Sequence, residues 1–204
     1  MTGNGTRIRK EKWIPMKISV FGGASPEAGS DAYQQAYQLG RLLGSAGMTV
    51  LTGGYQGTME AASRGASEAG GHVIGVTSEA IETYRPTQPN EWVDEEWRFK
   101  GFKERLNTLV ESCDAAFALP GGIGTLLEIC LTWNQLVINS ISPKPLILIG
   151  DEWRKVLETF LNELEDYVPP KNREMISFAP DPETGFDILI KFQEEQSNNY
   201  QDKQ

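Results

Sequence analysis

Apolar and polar positions along the 204-residue chain follow two periods in alternation. Short apolar runs at residues 16–21, 48–51, 72–76, 115–119 and 146–149 predict buried strands, several of them closed by glycine. Between them the period lengthens to that of a helix. Residues 31–46 place Ala32, Ala36, Leu39, Leu42 and Leu43 on one stripe, and Gly47 stops the helix. Residues 58–69 predict a helix of small side chains ended by Gly70 and Gly71. Residues 101–112 carry Phe102, Leu106, Leu109 and Val110 at helical spacing, and residues 125–137 and 153–164 predict two more helices. Residues 78–100, with Pro86, Pro89, Trp92 and Trp97, read as a long loop over one sheet edge, a candidate lid holding a short helix. Residues 1–15 read as a flexible N-terminal arm and residues 193–204 as a polar, frayed C-terminal tail.

Strands alternating with helices predict an α/β fold. The expectation is a Rossmann-like doubly wound sheet of mostly parallel strands, helices on both faces, in a single domain at 16–192. In such sheets ligands sit beyond the carboxyl ends of the strands. The glycines after the first, second and fourth predicted strands all fall at that edge.

Composition changes the picture in three places. A formal net charge of −9 argues against binding nucleic acid, which needs a basic face, but leaves room for a small phosphorylated ligand held by backbone N–H groups. Charges and glycines interrupt every apolar run, so no membrane span is expected, and with no secretion signal the cytoplasm is the expected compartment. The single histidine, His72, excludes a multi-histidine metal site, and Cys113 and Cys130 belong to no CxxC pair; neither a metal nor a cofactor is expected.

The strongest local signal is Pro120-Gly121-Gly122-Ile123-Gly124-Thr125-Leu126-Leu127-Glu128. It begins where a strand ends and opens a helix. Glycines let the backbone approach an anion, and the helix N-terminus offers free N–H donors. Glu128 lies one turn beyond Thr125, on the same side. A second glycine turn, Thr52-Gly53-Gly54-Tyr55-Gln56-Gly57-Thr58-Met59, leads from strand to helix, without the spacing of a dinucleotide fingerprint. Close helix–strand packing would explain Gly53 and Gly57 but not Gly54. Phe102-Lys103-Glu104-Arg105-Leu106 reads either as a solvated helix face or as the source of a cation that meets the anion or a carboxylate. The candidate binding set is Gly22 and Ser25 after the first strand, Gly53, Gly54, Gly57 and Met59 after the second, and Gly121, Gly122, Gly124 and Thr125.

Together these pieces resemble the Lonely guy family, long mislabelled as lysine decarboxylases. The resemblance runs from about Met16 to about Trp153. The signature PGGxGTxxE is complete at Pro120 to Glu128. The GGGxxGxM element appears at Thr52 to Met59, with Thr52 for its first glycine, and Thr132-Trp133-Asn134-Gln135-Leu136 matches a downstream element. The family's early Gly-Ser-Ser corresponds to Gly22-Gly23-Ala24-Ser25. Its Met-His-x-Arg-Lys reads here Phe102-Lys103-Glu104-Arg105-Leu106, so the arginine is kept and the histidine and final lysine are not.

The resemblance implies hydrolysis of the N-glycosidic bond of AMP or cytokinin riboside monophosphates to base and ribose 5-phosphate. Glu128 and Arg105 would be catalytic, and Gly122, Gly124 and Thr125 would hold the phosphate. It also implies a homodimer with sites near the subunit boundary. The apolar residues Leu126, Ile129, Cys130, Trp133, Leu136 and Val137 on one helix point the same way, unless Trp133 is simply core. The competing reading is a non-catalytic carrier or sensor of a phosphorylated ligand, a nucleotide or the molybdenum cofactor, since molybdenum-cofactor carriers resemble the family. A lysine decarboxylase would need a Schiff-base lysine, and Lys103 and Lys144 sit in no such motif.

Overall fold

A computed structural model describes residues 16–201. Its elements, in chain order, are β1 (Lys17–Phe21), α1 (Asp31–Ser45), β2 (Thr49–Thr52), α2 (Thr58–Glu68), β3 (Val73–Ser78) and α3 (Glu79–Tyr84). Then come β4 (Glu95–Phe99), α4 (Phe102–Glu111), β5 (Ala115–Ala118), α5 (Ile123–Val137), β6 (Leu146–Ile149) and α6 (Asp151–Glu163). A 3₁₀ turn (Glu165–Tyr167), α7 (Pro170–Arg173), β7 (Ile176–Ala179) and α8 (Pro182–Gln201) complete the chain.

The seven strands form one sheet in the order β4-β3-β2-β1-β5-β6-β7, and every pairing is parallel. The chain winds outward from β1 to β4, then returns to lay β5 beside β1. That reversal opens a crevice at the carboxyl ends of β1 and β5. Both sheet faces are covered, as parallel sheets require. On one side Ile18, Val20, Val50, Phe117 and Ile147 pack under α1, α2 and α8. On the other Phe21, Leu51, Val76, Ala116 and Leu148 pack under α4, α5 and α6. The small residues of α2 have a packing reason. A Cβ on Gly40 would stand 2.1 Å from the Ala62 carbonyl oxygen, and one on Gly65 2.0 Å from that of Tyr37, so α1 and α2 touch backbone to backbone.

Two expectations are corrected, and one strand is added. Residues 78–100 are not mainly loop: after the expected short helix they form β4, paired with β3 along the sheet edge. Its sequence Glu-Glu-Trp-Arg-Phe hides a strand among charges, and charge on an edge strand discourages pairing with other chains. Residues 176–179 add β7 at the opposite edge. Residues 193–201, expected to fray, continue α8, with Gln193 buried. The expected arm at 1–15 and the end of the tail at 202–204 lie outside the described residues. No helix among the described residues is long and apolar enough to cross a membrane.

Candidate active site

The three glycine loops are stitched together at the crevice. The Gly23 N–H donates to the Pro120 carbonyl at 3.1 Å, and the Gly23 carbonyl accepts from the Thr58 N–H at 2.9 Å. A Cβ on Gly22 would meet Thr58 Cγ2 at 2.3 Å, and one on Gly57 the Ala24 backbone at 2.6 Å. Below them, the indole N–H of Trp153 donates to the Leu119 carbonyl at 2.9 Å and anchors the end of β5. The Gly-Gly-Ile-Gly turn is thereby presented on a fixed support. Gly121, Gly122, Ile123 and Gly124 are exposed. No side chain caps α5 at Gly122, so the N–H groups of its first turn are left for a ligand. Thr125 is buried, its Oγ1 packed against Gly121.

One turn along α5, Glu128 meets Arg105 of α4. Lys103 and Glu104 are solvated, whereas Arg105 is 5% exposed, which decides between the two readings of that run. Its guanidinium is held by neutral groups: Nε donates to the Val76 carbonyl at 2.8 Å, Nη2 to the Gly53 carbonyl at 3.4 Å, and the charge lies 5.9 Å from the centre of the Tyr55 ring. Gly53 makes room for it, since a Cβ there would stand 2.1 Å from Nη2 and 2.5 Å from Met59 Sδ. Nη1 lies 3.9 Å from Glu128 Oε1, an ion pair without a hydrogen bond. Burial pushes the Glu128 carboxyl up to about 7 against the attraction of Arg105. Burial likewise lowers Arg105, with Glu128 and Tyr55 opposing. The site therefore holds a carboxyl that ionises near neutrality and a cation neither closed onto it nor exposed to water, beside an open helix N-terminus.

The SLOG cluster4 family model matches residues 15–167. The chain belongs to that family. The relatives of this SLOG protein bear out the Lonely guy resemblance. A probable cytokinin riboside 5′-monophosphate phosphoribohydrolase of Oryza sativa subsp. japonica is 34% identical over 188 residues, 87% of this chain and 72% of its own length. The cytokinin riboside 5′-monophosphate phosphoribohydrolase of Rhodococcoides fascians is 30% identical over 175 residues, 83% of this chain and 86% of that protein. Among solved structures, the molybdenum cofactor binding protein of the phototrophic bacterium Rippkaea orientalis superposes with a TM-score of 0.69. It is 28% identical and is matched over 88% of this chain and 98% of its own.

The SLOG protein's candidate residues divide by what their neighbours leave free. Gly22 and Gly121 are closely packed, Gly57 is both crowded and at φ +73°, and Gly53 faces the ends of the Arg105 and Met59 side chains. Gly54 is crowded too, contrary to expectation: it has φ +81°, and a Cβ there would meet Thr77 Cγ2 at 2.8 Å. Met59 is buried against Gly53 and Arg105, and Ser25 is exposed on the loop after β1. Among the candidate glycines, a Cβ would meet nothing within 4 Å only at Gly122 and Gly124. Gly124→Ala is therefore expected to fold and to gain up to about 1 kcal/mol from better helix propensity, while weakening AMP binding at least about tenfold by filling the anion's approach. Gly121→Ala, whose Cβ would stand 2.2 Å from Thr125 Oγ1 and 2.8 Å from the Gly23 nitrogen, is expected to lower the melting temperature instead. Calorimetry and thermal melts on both variants check this. Undiminished AMP binding by Gly124→Ala would move the anion elsewhere. Sequence reasoning missed Tyr55 and Asn90, whose contacts bear on this site; an aromatic residue inside a glycine turn was the available signal for the first.

Proposed function

We propose that the chain is a nucleoside 5′-monophosphate phosphoribohydrolase, acting on AMP or a cytokinin riboside monophosphate. The observation that carries this reading is the open pair of the buried Arg105 and the partly buried Glu128, one turn from the uncapped start of α5. The 5′-phosphate accepts from the N–H groups of Ile123, Gly124 and Thr125, which places the sugar beside Glu128. The bond between C1′ and the base nitrogen breaks, and its electron pair leaves with the base. The Glu128 carboxylate stabilises the positive charge on the sugar and orients the water that adds to C1′. The water's second proton is balanced by protonation of the departing base. Arg105 keeps part of the Glu128 population ionised and offers its remaining donors to the substrate.

The carrier reading keeps one observation in its favour, the similarity to a molybdenum cofactor binding protein. A product assay separates the two. On AMP, GMP, CMP and isopentenyl-AMP, free base is expected from at least one monophosphate, and adenosine is expected to bind at least about a hundredfold more weakly than AMP, because its 5′ end gives the loop no anion. Tight binding with no base released from any of them would establish a carrier, and equal binding of adenosine and AMP would remove the anion loop.

Assembly belongs to the same reading. Leu126, Cys130 and Val137 of α5 line a groove of about 500 Å³ with Val156 and Phe160 of α6, and a second copy of the chain would cover it. Trp133 is mostly core: it is buried, its indole N–H donates to the Asn172 carbonyl at 2.7 Å, and its ring meets Phe160 edge-on. A cytoplasmic setting suits the free thiols of Cys113 and Cys130.

A further inference from the structure

The segment between β3 and α4 has no part in the chemistry above, yet two of its side chains reach the second glycine turn. Asn90 holds that turn from outside. Its Nδ2 donates to the carbonyls of Gly54 at 3.0 Å and Tyr55 at 2.8 Å, and its backbone N–H donates to Gly54 again at 2.8 Å. Its own Oδ1 accepts from the Trp92 N–H at 3.1 Å, which fixes the amide in place. Glu82 holds the Tyr55 side chain. The buried phenol accepts from the Ser78 N–H at 2.9 Å and donates towards the Ser78 carbonyl at 3.2 Å and Glu82 Oε1 at 3.3 Å. Glu82 is in turn gripped by Arg98 of β4, through a pair of contacts that includes Nη1 to Oε1 at 2.8 Å. Tyr55 is thus fixed at both its backbone and its hydroxyl, with its ring beside the Arg105 guanidinium.

That arrangement has an electrostatic consequence. A guanidinium and a carboxylate in a buried site attract strongly, and a closed pair at hydrogen-bond distance is the favourable geometry unless something holds them apart. Here they stop at 3.9 Å. The guanidinium donates to two carbonyls and lies beside the Tyr55 ring, and of these only the ring is a side chain open to substitution. We propose that Tyr55 is a positioning residue: its ring, carried on a turn held by Asn90, keeps Arg105 from closing onto Glu128, so that both groups stay available to the ligand. This rests on the hydrolase reading for its effect on turnover, but the placement of Arg105 can be read without any turnover.

The test compares Tyr55→Leu, which removes the ring, with Tyr55→Phe, which keeps the ring and removes its hydroxyl bonds. Two quantities are measured on the full chain: base release from the best monophosphate, and the ionisation midpoint of the Glu128 carboxyl, followed by carboxyl-carbon NMR. In Tyr55→Leu the freed guanidinium closes the pair, so the Glu128 midpoint falls below that of the wild type. Its kcat drops at least about tenfold while KM stays within about threefold, because the phosphate loop is untouched. In Tyr55→Phe the melting temperature falls with the lost buried hydrogen bonds, but kcat stays within about threefold. A merely structural role would instead make kcat follow melting temperature in both variants. Should Tyr55→Leu fail to fold, Asn90→Ala loosens the same turn from outside, and the same downward midpoint is expected. A wild-type midpoint in the variant that folds, or kcat tracking stability in both Tyr55 variants, overturns the proposal. If the wild type releases no base at all, the hydrolase reading fails, and the midpoints alone still decide the position of Arg105.

Discussion

Glu128→Gln is expected to lower base release by about 10²-fold or more and, above neutral pH, to make the folded protein more stable. The loss of activity follows from removing the carboxylate charge, with little change of shape, from the group proposed to face the sugar. The gain in stability follows from the cost of ionising that carboxyl where it is buried. Its folded value is about 7 against an ordinary 4.5, with desolvation the larger cause and Arg105 opposing it. The folded protein therefore holds this proton more tightly than the unfolded chain. Stability falls as pH rises from about 4.5 to about 7, and the full cost stands above 7, up to about 3 kcal/mol. Glutamine has no such cost, although it leaves Arg105 without its counter-charge and so recovers less than the whole. Denaturant midpoints for both proteins at pH 5 and pH 8 measure the difference, which should be larger at pH 8. In the wild type, kcat/KM should rise with pH through a limb near 7, as the working carboxylate forms. Equal turnover in mutant and wild type would remove Glu128 from the mechanism, and a stability difference independent of pH would remove its ionisation as the cause.

Arg105→Met should also cost about 10²-fold or more in turnover, by a different route. Methionine keeps much of the apolar stem and removes the charge. Without the attraction of Arg105, the Glu128 carboxyl titrates still higher, and at neutral pH more of the protein carries it protonated and unable to stabilise the sugar cation. The limb of the pH profile should accordingly move up, not merely shrink. Assembly should be unaffected, since Arg105 points into the protomer towards Gly53 and Val76 and lines no part of the apolar groove on α5 and α6. Light scattering beside a base-release assay reads both effects, with a dimer expected for both proteins. Full activity in Arg105→Met would return Arg105 to a structural role, and a wild-type monomer at micromolar concentration would remove the dimer.

Much of this protein is legible in its sequence because the signals are local. Five strands are visible as apolar runs, and the helix starts and stops follow from glycines and helical stripes within a few residues. The Pro120 to Glu128 stretch marks a candidate anion-binding turn for the same reason: a glycine loop and an uncapped helix start are properties of nine adjacent residues. Among the elements missed are two whose character depends on their neighbours. β4 is charged because it lies at an edge and has only one partner, and residues 193–201 look like a tail until the rest of α8 is seen docked on the sheet.

The site divides in the same way. Which residues are candidates for it could be read from motif and order, but not what surrounds them. Only the fold decided that Arg105 turns inward while Lys103 and Glu104 face water. Only the fold showed that Gly53 exists to admit its guanidinium, that most of the glycines serve packing while Gly122 and Gly124 face open space, and that Tyr55 stands beside the Arg105–Glu128 pair. Hydrogen-bonded turns are set by neighbours in the chain, whereas the ionisation of Glu128 is set by its burial and by Arg105, a residue of α4 that β3 and the turn after β2 hold in place.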